Sequence, residues 1–252
     1  MASALADRVV LVTGATSGIG FATVRVLADE GARVHAIGRR REVLEERVRP
    51  LGRDGSVAVH AVDVTDEESV QRLVTDIGSQ HPLDAVVCSA GTNLIERRLD
   101  QLTADSWRHL VETNLTGVFT IVHATLRQLR RTRGHVVVLS SVSAAWPDFT
   151  GPAYQASKAG VLAFVRGAAV EEHANGVRFT AVLPGMVNTE LLDRRPNPPS
   201  EQMRALALQP EDVATAIVQV LSLPPRCCVA ELTIVPTIMQ SVGSVPPFGG
   251  QR

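Results

Sequence analysis

Val9-Val10-Leu11-Val12-Thr13-Gly14-Ala15-Thr16-Ser17-Gly18-Ile19-Gly20 carries a β-branched apolar run through glycines straight into an amphipathic stretch from Ile19 to Asp29. A strand that turns tightly into a helix leaves unpaired N–H groups at the helix N-terminus, where an anion is favoured. Working outward, the same alternation repeats. Arg33 to Ile37, Val57 to Val62, Ala85 to Cys88, Val136 to Leu139, Arg178 to Leu183 and Leu232 to Val235 read as further strands. Helical patterns stand around Glu42 to Val48, Glu67 to Ile77, Ala104 to Leu129, Ala153 to Glu172 and Pro210 to Leu221. Runs such as Val136-Val137-Val138-Leu139 are apolar without alternation, as expected of strands buried on both faces. The order predicts an α/β fold: a doubly wound sheet of about seven parallel strands with helices on both faces.

With 252 residues, 45% of them apolar, the chain can bury a large core in a single domain spanning 1–252. Lysine plus arginine (25) nearly balance aspartate plus glutamate (26), so no summed field favours nucleic acid or an anionic membrane. Cys88, Cys227 and Cys228 lack metal-ligand spacing, and the adjacent pair would bridge only under strain; no metal is expected. Met1 to Arg8 does not read as a signal peptide, and no apolar run reaches the roughly 18 residues of a membrane span. A cytoplasmic protein is expected. Proline and charge gather in Asp193 to Ser200, within an expected mobile substrate loop over about 188–209.

Gly14, Thr16, Ser17, Gly18, Ile19 and Gly20 are the candidate phosphate-binding residues, although glycines at such a place also serve plain turn chemistry. The pattern Thr13-Gly14-x-x-x-Gly18-x-Gly20, near the start of a chain of this length, resembles the nucleotide motif of the short-chain dehydrogenase/reductase family. The resemblance implies a Rossmann-type domain with a nicotinamide cofactor. Family members that prefer NAD usually carry an aspartate at the end of the second strand; here the chain reads Gly38-Arg39-Arg40. No carboxylate repels a 2′-phosphate there, and Arg39, with Arg40, can pair with one. NADP(H) is therefore expected over NAD(H). Cations at a helix start are otherwise mildly unfavourable. The resemblance puts Asp63 and Val64 beside the adenine, although Asp63 to Asp66 also reads as a helix cap. Cys88-Ser89-Ala90-Gly91 departs from the family's N-N-A-G, keeping small residues at Ala90 and Gly91 but losing both asparagines.

Tyr154 and Lys158 are four residues apart and share a helix face. A phenol has an ordinary pKa near 10, and a nearby cation lowers it toward working pH. The bare spacing is also that of an ordinary surface pair. By resemblance Tyr154 is the acid/base and Lys158 also holds the nicotinamide ribose. Ser141 corresponds to the serine that stabilises charge on the substrate oxygen, with Ser140 and Ser143 as rivals. Asn114, in Glu112 to Gly117, matches the family's helix asparagine that supports the proton relay; asparagine and glycine are otherwise poor choices in mid-helix. Pro184, Gly185, Val187 and Thr189 resemble the motif that fixes the carboxamide. As an isolated string they would be one more turn.

The implied activity is reversible hydride transfer between NADP(H) and a carbonyl or alcohol compound. Leu94, Trp146, Phe149, Met186 and Leu191, with Ile95 and Leu192, fall on loops at strand C-terminal ends and suggest a partly apolar substrate pocket. Arg194 and Arg195 read first as a solvated pair and only second as partners of a substrate carboxylate. The run Ile234 to Gln240 replaces a common family ending of an acid and two glycines. Small residues along Ala153 to Ala169 allow close helix approach, and the resemblance implies a homodimer or homotetramer. Two rivals stay open: a non-catalytic NADP(H)-sensing binder, and an epimerase or dehalogenase on the same scaffold.

Overall fold

The computed structural model describes residues 3–52 and 55–238. Among them the expected runs become β1 (Val9–Thr13), β2 (Arg33–Gly38), β3 (Val57–Ala61), β4 (Ala85–Cys88), β5 (His135–Leu139), β6 (Arg178–Pro184) and β7 (Glu231–Ile234). They form one seven-stranded sheet in the order β3-β2-β1-β4-β5-β6-β7, every neighbouring pair parallel. β1, β4 and β5 are buried along their whole length, which is why their sequences lack polar alternation.

Two apolar layers cover the sheet. One joins Leu11, Val86 and Val136 to α3 (Glu67–Gln80), α5 (Gly117–Thr132) and α6 (Pro152–Glu172). The other joins Val10, Val87 and Val182 to α1 (Gly18–Asp29) and α8 (Pro210–Ser222). The chain is thus a Rossmann-type α/β fold. β1 pairs with β2 on one side and β4 on the other, so the strand order reverses there and opens a crevice at the C-terminal ends.

Three elements differ from the sequence reading. The expected helix Glu42 to Val48 is a short α2 (Arg41–Val43), then a π-helical turn (Leu44–Val48) and a 3₁₀ turn (Arg49–Leu51) containing Pro50. The expected helix Ala104 to Leu129 is α4 (Ala104–Val111) and α5 joined by a π-helical turn at Glu112–Thr116. Within the expected loop over 188–209 lie a 3₁₀ turn (Glu190–Arg194) and α7 (Glu201–Leu206). Local hydrogen bonds build this segment: Ser200 caps α7, and Arg204 reaches Asn188 and Asp193. Met239 and Gln240, the end of the tail run, lie outside the described residues.

Candidate active site

β1 delivers the chain to a turn that only glycine can make. Gly14 has φ 67° and Gly18 φ 53°, both left-handed. A side chain on Gly14 would meet the Ala90 main chain at 2.8 Å, and one on Gly20 would lie 2.3 Å from the Gly14 carbonyl. Gly20 therefore packs the turn from behind, whereas Gly14, Thr16, Ser17, Gly18 and Ile19 line a cavity of about 1140 Å³. Ser17, the residue before α1, makes no side-chain cap, so the first N–H groups of the helix are left for a ligand.

The far end of this cavity is cationic. Arg39 and Arg40 both line it. Arg40 donates to Thr16 Oγ1 at 3.0 Å and approaches Glu190 at 3.9 Å, while Arg39 stands 3.9 Å from Asp63. Thr16 also explains Gly38: a Cβ there would sit 2.6 Å from the Thr16 methyl. Asp63 and Val64 line the cavity, and Asp63 accepts bonds from the Thr65 N–H and hydroxyl. The cap of α3 is Asp66, not Asp63.

Across the crevice Ser89, Ala90 and Gly91 follow β4. Thr13 Oγ1 accepts the N–H groups of Ser89 and Ala90, both at 3.1 Å, tying the segment after β4 to the end of β1. Pro184, Gly185, Val187 and Thr189 line the opposite side after β6. An uncapped helix terminus, a cradle of glycines that side chains would fill, and cations at the far end together fit a phosphorylated dinucleotide.

Tyr154, Ser141 and Lys158 meet at the floor of the same cavity, all three buried. Burial pushes the Tyr154 phenol up to about 12; the Ser141 hydroxyl, Arg195 and Arg97 pull it down, and Asp148 opposes them. Burial also lowers Lys158 to about 8. Its Nζ donates to the Leu139 carbonyl at 2.8 Å and lies 5.8 Å from the centre of the Tyr154 ring. Arg195 and Arg97 thus act on the phenol as cations, while the Lys158 ammonium is engaged by the Leu139 carbonyl. Ser141 Oγ donates to Ser143 Oγ at 3.1 Å, and Ser143 in turn donates to Asp148. Ser140 instead donates to the Lys158 carbonyl, tying β5 to α6.

Asn114 is fully buried inside the π-helical turn. Its Oδ1 accepts the Thr92 N–H at 2.8 Å, and its Nδ2 donates to the Thr92 carbonyl and to Ser157 Oγ. The amide is used up in joining α4, α6 and the segment after β4. A side chain at Gly91 would stand 3.4 Å from Lys158 Nζ and 3.5 Å from Asn114 Oδ1, so Asn114 helps to shape the Lys158 pocket.

Phe149, Met186, Leu191 and Leu192 line the cavity, but Leu94, Ile95 and Trp146 do not. Leu94 packs with Leu110 and Ala153 against Tyr154, Trp146 is 41% exposed, and Ile95 is exposed. Thr92, Asn93, Arg97 and Asp148 line it without having been expected. No periodicity or motif marks them: Glu96-Arg97-Arg98 has the composition of a surface turn, yet Arg97 is 6% exposed. Arg195, expected to be solvated, is partly buried in the lining.

The family model for short chain dehydrogenases matches residues 8–199. A serine 3-dehydrogenase of Agrobacterium fabrum is 34% identical over 242 residues, covering 93% of this chain and 96% of that protein. A cis-4-hydroxycyclohexanecarboxylate dehydrogenase of Sinomonas cyclohexanicum is 38% identical over 225 residues, covering 86% and 90%. The closed form of a serine dehydrogenase complexed with NADP+ superposes with a TM-score of 0.85 at 28% identity, covering 94% of this chain and 98% of that one. With a family match over most of its length and a glycine turn, serine, tyrosine and lysine converging on one crevice, the chain belongs to the short chain dehydrogenase family and is an oxidoreductase.

Proposed function

We propose that the protein interconverts a ketone or aldehyde and the corresponding alcohol with NADP(H), Tyr154 exchanging the proton with the substrate oxygen. The carrying observation is the burial of Tyr154 and Ser141 at the floor of the cavity whose other end holds the glycine turn, Arg39 and Arg40. A bound nicotinamide would supply or accept the hydride. Gly14, Gly18 and the N-terminus of α1 would hold its pyrophosphate, and Arg39 and Arg40 a 2′-phosphate. Pro184, Gly185, Val187 and Thr189 would position its carboxamide, and Lys158 its ribose. NADP+ in one similar structure and the lack of a carboxylate at Gly38 support NADP over NAD.

Ser141 holds the substrate oxygen by hydrogen bonding. Tyr154, with a pKa well above neutral, keeps its proton and gives it to that oxygen during reduction. Asn114 acts as a positioning residue, fixing Thr92 and the helix that carries Tyr154 through Ser157. We propose a homodimer or homotetramer joined through α5 and α6, where Phe119 is 48% exposed beside Phe164 and Val170 is 74% exposed. The test is titration with NADPH and NADH followed by assay against ketones, aldehydes and oxo acids. NADPH oxidation coupled to formation of an alcohol is expected. Tight NADPH binding with no turnover of any carbonyl or alcohol would favour a sensing role.

A further inference from the structure

The cavity holds more positive charge beside Tyr154 than proton transfer requires. Arg97, between β4 and α4, is 6% exposed. Its Nη2 donates to the Arg194 carbonyl at 2.6 Å, but its Nε is buried without a partner. Arg195 lies in the same lining, its Nη1 directed at the sulfur of Met186 at 3.8 Å. Each arginine acts electrostatically on Tyr154 and on Asp148, and burial weakens both guanidiniums.

Asp148 is the acid that both arginines sense, yet its oxygens already accept from Ser143 Oγ, Thr150 N and Thr150 Oγ1. Among the described residues no carboxylate forms an ion pair with Arg97 or Arg195. Two partly desolvated cations around one occupied acid leave an unbalanced positive charge, which burial makes unfavourable until an anion arrives. A guanidinium fork matches the planar pair of oxygens of a carboxylate. Phe149, Met186, Leu191 and Leu192 add apolar surface to the same cavity lining, with Met186 against Arg195.

Given Tyr154 as the proton donor proposed above, we infer that the substrate is a short oxo acid or hydroxy acid. Its carboxylate is held by Arg97 and Arg195 while its reacting oxygen meets Ser141 and Tyr154. Arg97 also ties down the turn that carries Arg195, because it holds the Arg194 carbonyl, and Arg194 itself donates to Thr92 Oγ1 at 2.7 Å.

The experiment compares straight-chain oxo acids of different lengths with their methyl esters, each reduced with NADPH by the intact protein. The best acid should exceed its ester in kcat/KM by roughly 30-fold or more, the scale of a lost charge-assisted hydrogen bond. In Arg195→Met that ratio should collapse to within about threefold, and Arg195→Lys should restore part of it. Arg97→Lys, which retains the charge, provides a folded second variant and should lower the ratio without abolishing it. A separate binding readout uses the NADPH complex with hexanoate or hexanamide: hexanoate should raise the melting temperature and the amide should not.

Esters reduced as well as acids, with no stabilisation by hexanoate, would overturn the carboxylate site while leaving the oxidoreductase reading standing. A phosphate ester preferred over every carboxylate would overturn it in the same way. Stabilisation by hexanoate without turnover of any acid or ester would sink the assignment of Tyr154 instead, and with it the inferred substrate.

Discussion

Tyr154 sits where burial alone would make it a poor base, with its phenol pushed up to about 12. At neutral pH the proton is present, and the Ser141 hydroxyl, Arg195 and Arg97 pull the phenol back toward the range in which it exchanges a proton efficiently, while Ser141 would share the developing charge on the oxygen. Lys158 loses its charge as pH rises through about 8, far below an ordinary lysine. With Lys158 as the proposed holder of the cofactor ribose, reduction should be level at neutral pH and decline through about pH 8, and Lys158→Arg should carry the decline to higher pH; a pH profile of kcat/KM for NADPH checks this. Arg39→Ala should weaken NADPH binding by about 10- to 100-fold, the scale of charge-assisted hydrogen bonds, and NADH binding by less than about threefold. Fluorescence titration of both cofactors reads this out. At this scale the tyrosine, lysine, serine and glycines were legible because each stands at a spacing set by chemistry. Arg97 was not. A buried arginine in an irregular segment leaves no periodic trace, and the chain packs against it at Gly151, where φ is 96° and a Cβ would stand 2.7 Å from the Arg97 carbonyl oxygen.

Asn114 is the point at which one expected helix becomes two. A π-helical turn inserts a residue into the ladder and displaces its hydrogen bonds, a distortion that recurs at functional sites. Asparagine and glycine at Asn114 and Gly117 were visible as misfits to a regular helix, but the turn itself depends on contacts far away in sequence. Thr92 and Ser157 take the Asn114 amide, and a Cβ on Gly117 would strike Val64 at 2.7 Å. Asn114→Ala leaves the buried Thr92 main chain without its partners and should lower unfolding free energy by about 2–4 kcal/mol. Chemical denaturation measures that loss, and a fall in kcat larger than the change in KM would place it on the geometry of the site. The segment from 188 to 209 was half legible: Asp193 to Ser200 has loop composition, but Ser200 before Glu201 is an N-cap signal that proline content masked.

Across the whole molecule the sheet was the most legible feature, because uninterrupted β-branched runs alternating with amphipathic stretches admit few other architectures. Its buried interior also sets the response to acid. His135 at the start of β5 is 1% exposed and held neutral, its pKa lowered to about 3 by burial and then by Arg178; His35 on β2 is lowered to about 4, chiefly by burial. As pH falls below 6.5 the unfolded chain binds protons at both rings while the folded chain does not, so stability falls with pH across that window. His135→Asn should reduce the stability lost between neutrality and about pH 5 by about 1–2 kcal/mol, measured by denaturation at each pH. In the proposed mechanism the sheet holds one phenol against one substrate oxygen at the end of the crevice. The most direct test is the loss of NADPH absorbance with an oxo acid, compared between the native protein and Tyr154→Phe after both are shown to bind NADPH equally. A fall in kcat of at least about 100-fold with NADPH affinity unchanged is expected, the scale of a lost general acid. Full turnover by Tyr154→Phe would contradict the assignment.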